Sequence, residues 1–258
     1  VGSHLDITSR KRSEQMLLER DSQLIAAQRI QEYMLPREAP KIPGYDISGS
    51  LIAAEFAAGD YFDYLQMRDG SLLVVVGDVA GHGFSSALGM AITSAHLRSF
   101  VEHHSDIKEI LEHTNAIMCK ETEESRFVTI VLFQLDLASR TYRYVNAGHP
   151  AGFVMNSRGD IKAVLSSTSL PLAVVPDADF PVNPPGTFEP GDLLLLVTDG
   201  IQEARDRNGA LFGTERMLQI VRSQLARPAS EIITTLQRDV CDFTGRRQPE
   251  DDITCVIV

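Results

Sequence analysis

The chain has 258 residues, 43% of them hydrophobic, which suits a folded protein with a sizeable core and excludes a disordered one. Its 24 basic and 35 acidic residues give a formal net charge of −11, which argues against nucleic acid or an anionic membrane as the main partner. Three widely spaced cysteines (Cys119, Cys241 and Cys255) predict neither a disulfide framework nor a zinc site and fit a cytoplasmic location. No apolar run in this stretch of sequence approaches the roughly 20 residues of a transmembrane helix.

The N-terminal region predicts one long helix. Residues 1–4 look like the remnant of a cleaved tag, which indicates a piece of a longer protein. From about Arg10 to Leu35 the chain lacks Gly and Pro and is rich in helix formers, and Pro36 should end the helix. Its first half fits either a surface helix or a linker helix that pairs with its copy in a dimer. From Ile25 onward we expect it to pack on the main domain.

The rest of the chain predicts groups of strands and pairs of helices. The predicted strands are 47–52, 61–67, 71–76, 127–137, 141–146, 152–155, 192–198 and 253–258. The predicted helices are 85–103, 106–124, 214–225 and 229–243, and the proline-rich segment 171–190 predicts a long irregular connection. Adjacent strands and adjacent helices indicate an α+β fold of antiparallel sheets with separate helical layers.

Four acidic sites share one kind of position, at the end of a predicted core strand and beside a turn-forming residue: Asp60, Asp78, Asp199 and the pair Asp251–Asp252. Each one alone fits an ordinary turn former or helix cap. Together they would repel one another unless a hard divalent cation bound them, and Mg²⁺ and Mn²⁺ prefer such oxygen ligands. A centre of this kind suits hydrolysis, because a metal-bound water loses its proton near neutral pH.

The ordered set of motifs resembles the metal-dependent serine/threonine protein phosphatases (type 2C, PPM), in particular their bacterial SpoIIE/RsbU branch. The matching stretches are AGDYFD at 58–63, VGDVAGHG at 76–83, NAGHP at 146–150, TDGIQEA at 198–204, LFG at 211–213 and EDDIT at 250–254. The stretch 27–36 also resembles the helix that opens the catalytic domain of this branch. The resemblance covers about residues 26–258.

The resemblance implies a fold and a metal centre. The fold is an αββα sandwich, two antiparallel sheets between helical layers, with two Mn²⁺ or Mg²⁺ ions at one edge of the sheets. Asp78 matches the carboxylate that bridges both ions, and the backbone carbonyl of Val79 matches a ligand of the second. Asp199 and Asp251 match further ligands of the first ion, and Asp60 matches a residue that binds metal directly or through water. Asp252 is expected to orient the turn.

The implied activity is hydrolysis of phosphoserine or phosphothreonine without a phosphoenzyme. The usual substrates of this branch are phosphorylated STAS-domain proteins that antagonise anti-sigma factors. His82 fits a general acid for the leaving group, but its spacing from Asp78 differs from that of eukaryotic relatives, which favours a structural role. For His149 we also favour a structural role, in orienting backbone. No arginine matches the phosphate-binding arginine of the eukaryotic branch.

The first residues resemble the exit of a PAS sensor domain, because Leu5–Lys11 reads LDITSRK. The expected organisation is therefore a PAS-exit segment and signalling helix at 5–25, followed by the catalytic domain at 26–258. This layout predicts a homodimer through the N-terminal helix, with activity regulated by an upstream sensor. Two other functions stay open: a phosphatase fold that only binds a partner, and a hydrolase of a small phosphate ester.

Overall fold

The computed structural model of the protein describes residues 11, 14, 15, 28, 29, 31, 33–81, 83–121, 126–246 and 248–258. The described residues between 11 and 34 are helical, and Met34 is the last of them, which confirms the stop predicted at Pro36. Apart from residues 11, 14 and 15, the predicted PAS-exit and linker segment 5–25 lies outside the described residues. No helix within the described parts of the chain is long and apolar enough to cross a bilayer.

In the described part of the chain, ten strands form two five-stranded antiparallel sheets. The first sheet has the spatial order β1 (Ser48–Ile52), β10 (Ile253–Ile257), β9 (Leu193–Val197), β6 (Gly152–Met155) and β7 (Ile161–Leu165). The second has the order β2 (Asp60–Gln66), β3 (Leu72–Val79), β4 (Val128–Asp136), β5 (Thr141–Ala147) and β8 (Gly186–Thr187).

Among the described residues that follow the N-terminal helical segment, five helices lie between the strands. They are α1 (Phe84–Val101), α2 (Ile107–Glu121), α3 (Asp199–Gln202), α4 (Thr214–Ser223) and α5 (Ala229–Thr244). Helices α1 and α2 cover the second sheet, and α4 and α5 cover the first. The order of layers is therefore helix, sheet, sheet, helix, as predicted.

Three apolar cores hold the four layers together. Along β3, Leu73 and Val75 point into the core beneath α1 and α2, whereas Val74 and Val76 point into the core between the sheets. This alternation explains why the strand is apolar at every position from 72 to 76, since both of its faces are buried there. The third core packs the first sheet against α4 and α5.

Some boundaries and elements differ from the sequence prediction. Strand β3 continues through Val79, so Asp78 lies inside the strand rather than after it, because the ladder with β4 still pairs Asp78 with Thr129. Strand β7 was missed because it is a short, largely exposed edge strand. Strand β8 has two residues and interrupts the predicted irregular segment, and α3 has four, too few for either to show a periodic pattern.

Candidate metal-dependent active site

The first pair of acidic side chains is brought together by strand pairing. Asp60 begins β2 and lies directly opposite Asp78 in the antiparallel ladder with β3. Asp60 is 1% exposed, and its Oδ2 accepts hydrogen bonds from the hydroxyls of Thr198 (2.7 Å) and Thr254 (2.6 Å). These hydroxyls belong to the other sheet, so Asp60 joins the two sheets at the end where the predicted ligands lie.

The remaining ligand candidates come from two loops of the first sheet. Asp199 follows β9 and opens α3, while Asp251 precedes β10. The two loops touch at Gly200, where an added Cβ would lie 2.0 Å from the backbone oxygen of Asp252. Glycine is therefore required at this position, because any side chain would push the two loops apart.

Asp252 organises the loop that leads into β2, as its predicted turn-orienting role requires. Its Oδ1 accepts a hydrogen bond from the amide of Ala54 (2.8 Å), and its Oδ2 accepts one from the amide of Gly59 (2.7 Å). The carboxylate thereby fixes the backbone immediately before Asp60.

The backbone of Val79, predicted as a metal ligand, lies against the same loop. Its amide donates a hydrogen bond to the carbonyl of Gly59 (3.2 Å). A Cβ added at Gly59 would lie 3.0 Å from the Val79 oxygen. A larger residue at 59 would therefore press against this carbonyl, next to Asp60 in the sequence.

The electrostatics of the cluster are those of carboxylates packed together. Burial, followed by the charges of Asp199, Asp251 and Asp252, raises the pKa of Asp78 to about 7. Burial and then the charge of Asp78 raise the pKa of Asp60 well above its ordinary value. Burial and the charge of Asp251 also raise the pKa of Asp199. In each case burial disfavours the charged form first, and the neighbouring carboxylates add to the shift.

This donor set fits a hard divalent cation. Carboxylate and carbonyl oxygens suit Mg²⁺ and Mn²⁺, and bound positive charge would relieve the repulsion that raises these pKa values. Within the described parts of the chain, no three His, Cys, Asp or Glu side chains already enclose a point tightly enough to hold an ion. The charge and the ligand chemistry of these residues therefore fit a divalent cation, although their side chains are not arranged as a complete coordination shell.

The two histidine candidates have different outcomes. His82 lies outside the described residues. His149 is 3% exposed, and its Nδ1 lies 3.0 Å from the hydroxyl oxygen of Thr129. Burial lowers the pKa of His149 to about 3, so its ring is neutral at physiological pH. Its backbone amide donates to Asn146 Oδ1 (2.8 Å), as expected for a residue that orders the turn.

Several residues that shape the site were missed by sequence reasoning. Thr198 and Thr254 support Asp60, and both lie within motifs already recognised, TDGIQEA and EDDIT. Gln31 is a second case, since its side-chain amide pairs with both backbone groups of Ala58. A buried polar residue in a helix of exposed polar residues leaves no sequence signal of its own.

The family comparison matches most of the chain. The family model described as Stage II sporulation protein E (SpoIIE) matches residues 68–258. The chain belongs to the SpoIIE family. It has the fold of the family's PP2C-type phosphatase domain, and PP2C phosphatases are generally metal-dependent.

Curated SpoIIE-type relatives are similar along most of this chain. The phosphoserine phosphatase RsbU of Bacillus subtilis is 24% identical over 92% of this chain and 70% of its own length. Protein IcfG of Synechocystis is 25% identical over 92% of this chain and 41% of its own length. The phosphoserine phosphatase RsbP of Bacillus subtilis is 28% identical over 72% of this chain and 46% of its own length. The chain thus spans less than half of two of these three relatives.

Solved structures agree with this fold. The SiaA-PP2C domain of Pseudomonas aeruginosa has a TM-score of 0.82 at 21% identity, covering 94% of this chain and 97% of that one. The RsbU and RsbW domains of Rv1364c from Mycobacterium tuberculosis give a TM-score of 0.71 at 26% identity. That match covers 84% of this chain and 63% of the other.

Proposed function

We propose that this SpoIIE-family domain is a Mn²⁺- or Mg²⁺-dependent protein serine/threonine phosphatase. The observation that carries the proposal is the convergence of acidic side chains from both sheets at one end of the sandwich. Burial and then the charges of Asp199, Asp251 and Asp252 raise the pKa of Asp78 to about 7. Two relatives named as phosphoserine phosphatases, RsbU and RsbP, support the choice of substrate chemistry.

Two ions are proposed for the site. Asp78 would bridge them, the Val79 carbonyl would complete the second, and Asp199 and Asp251 would complete the first. Asp60 would bind directly or through water, held in place by its two threonine hydroxyls. When bound, the ions supply an activated water and neutralise phosphate charge. The residues of the chain orient the ligands and place them at the rim of the sandwich, where a phosphorylated side chain can reach them.

The substrate class we propose is a phosphorylated STAS-domain protein in a bacterial partner-switching pathway. The similarity to RsbU and RsbP carries this step, because the site residues themselves recognise only a phosphomonoester. We place the protein in the cytoplasm, a location supported by three cysteines that all carry free thiols.

The domain layout is also proposed: a PAS-exit segment and linker helix at 5–25 and the catalytic domain at 26–258. The buried Gln31 side chain, paired with Ala58 two residues before Asp60, supports a linker helix that regulates the site. We expect the N-terminal helix to form a homodimer. Sedimentation of the chain with and without residues 5–24 tests this, and two identical monomers would contradict it.

The decisive experiment measures phosphate release from a phosphoserine-bearing STAS protein, with and without Mn²⁺. We expect activity that depends on Mn²⁺ and is lost in Asp78→Asn while the circular dichroism spectrum is unchanged. Undiminished activity in Asp78→Asn would contradict the proposed centre. Metal binding without turnover of any phosphoprotein would favour the alternative, a phosphatase-fold module that only binds a partner.

A further inference from the structure

His149 is held rigidly in the turn after β5, away from solvent. It is 3% exposed, and its amide donates to Asn146 Oδ1 at 2.8 Å. The Asn146 side chain in turn donates to the carbonyl of Leu165 at 2.8 Å and is itself fully buried. A ring so placed cannot touch a protein substrate, so any contribution to the site must pass through its neighbours.

One side of the ring leads to the backbone of Asp78. Nδ1 of His149 lies 3.0 Å from Oγ1 of Thr129. Thr129 is the direct partner of Asp78 in the β3–β4 ladder, and its Oγ1 lies 3.5 Å from the Asp78 carbonyl oxygen. The imidazole therefore contacts the Thr129 hydroxyl, which lies beside the backbone carbonyl of Asp78, a proposed metal ligand.

The other side of the ring has no such contact. Among the described residues, Nε2 of His149 has no hydrogen-bond partner, although it is fully buried. A buried N–H without an acceptor is costly, so the proton of the neutral ring belongs on Nδ1, which faces Oγ1 of Thr129.

We propose that His149 is a positioning residue that fixes Asp78 by way of the Thr129 hydroxyl. In the tautomer that serves this role, Nδ1 carries the proton and donates it to Oγ1 of Thr129. The Thr129 hydroxyl then donates to the carbonyl of Asp78. The inference rests on the proposed metal-dependent function, since its effect is on the geometry of the ligands.

The test measures Mn²⁺ binding to the metal-free protein by titration calorimetry. The variants are His149→Phe, Thr129→Val and the double variant. Loss of a residue that orients metal ligands typically weakens metal affinity by about 10–100-fold, and we expect roughly tenfold for each single variant. Because the ring acts partly through the hydroxyl, the double variant should be weaker by less than the product of the two single effects.

Two further variants separate positioning from packing. His149→Asn places an amide near the position of Nδ1, and His149→Gln places one near the position of Nε2. We expect His149→Asn, but not His149→Gln, to recover part of the Mn²⁺ affinity that His149→Phe loses. The matched control is the exposed His103, whose substitution by Asn should leave the affinity unchanged. Thermal unfolding without metal checks that each variant folds. If His149→Phe does not fold, the Mn²⁺ affinity of Thr129→Val tests the positioning role.

The outcomes distinguish this inference from the proposed function. Folded His149→Phe and Thr129→Val proteins that bind Mn²⁺ as tightly as the unmodified protein would overturn the positioning role. Fully multiplicative effects in the double variant would overturn the coupling through Thr129. An unmodified protein that neither binds Mn²⁺ nor releases phosphate would instead overturn the proposed function.

Discussion

Asp60 and Asp78 face each other directly across the β2–β3 ladder, two carboxylates at one rung of a sheet. Like charges placed opposite each other in adjacent strands destabilise a sheet. Here burial adds to the repulsion, and the pKa values of both groups are raised. The arrangement lowers the stability of the metal-free fold, and it holds both carboxylates where a cation could bind them.

The first prediction concerns the pH dependence of stability without metal. The pKa of Asp78 is about 7 in the folded protein, against about 3.9 for an unfolded Asp, so the folded state binds more protons between these values. The contribution of Asp78 to stability must therefore fall as pH rises from about 4 to 7. Asp78→Asn removes this loss, and at pH 7.5 we expect it to raise the free energy of unfolding by about 2 kcal/mol. This figure is discounted for the partial exposure of Asp78.

Urea unfolding of the chelator-treated proteins at several pH values measures this difference. The effect should shrink toward zero below about pH 3, where Asp78 is protonated in both states. The surface variant Asp136→Asn serves as a control of opposite sign, because hydrogen bonds from Ser139 and Ala138 lower the pKa of that exposed group. A difference between Asp78→Asn and the unmodified protein that is constant with pH would contradict the raised pKa.

The second prediction concerns the two hydroxyls on Asp60. Thr254→Val keeps the shape of the side chain but removes one of the two hydrogen bonds to Oδ2. Because hydrogen bonds to charged groups contribute about 1.5–3 kcal/mol, we expect a loss of about 2 kcal/mol in the Mn²⁺-bound protein, measured by urea unfolding. Thr234→Val, which removes a hydroxyl on the exposed face of α5, should cost far less. Equal losses in the two variants would show that the Asp60 contact is not special.

The layers of the fold were predictable from sequence, and so was the gathering of acidic side chains at the ends of core strands. The apolar run of β3 predicted a strand buried on both faces. The position of Asp199 just after β9 predicted that this carboxylate lies at the edge of the sheet. The elements that the sequence pattern did not predict are short or exposed. The two-residue β8 and the four-residue α3 are too short for periodicity, and β7 lies half in solvent.

The support around the acidic residues was harder to predict, because it depends on contacts between distant parts of the chain. The hydroxyl of Thr254 reaches Asp60 across 194 residues of sequence. The Asp252 carboxylate reaches the amide of Gly59 across 193. Local sequence shows that such residues are polar but not what they bind, so only the folded structure assigns them.

The third prediction tests the contact between the two ligand loops. In Gly200→Ala the new methyl group would meet the backbone oxygen of Asp252, so Asp199 and Asp251 must move apart. We expect Mn²⁺ affinity to fall by tenfold or more in titration calorimetry. Gly209→Ala is the matched control: it has a positive φ of 83° but open space around it, so it should lose stability and keep its affinity. Equal affinities for Gly200→Ala and Gly209→Ala would rule out the loop contact as a determinant.

The last prediction links the N-terminal helix to the metal centre. Gln31 both donates to the Ala58 carbonyl and accepts from the Ala58 amide (2.8 Å), so the helix holds the loop that ends at Asp60. Gln31→Ala removes both bonds from a side chain that is 8% exposed, and the loop should become less ordered. We expect the Mn²⁺ concentration for half-maximal phosphate release to rise several-fold, with little change at saturating Mn²⁺. Arg29→Ala, on the exposed face of the same helix, should leave the titration unchanged, and an identical shift in both variants would point to a general loss of helix rather than to this pairing.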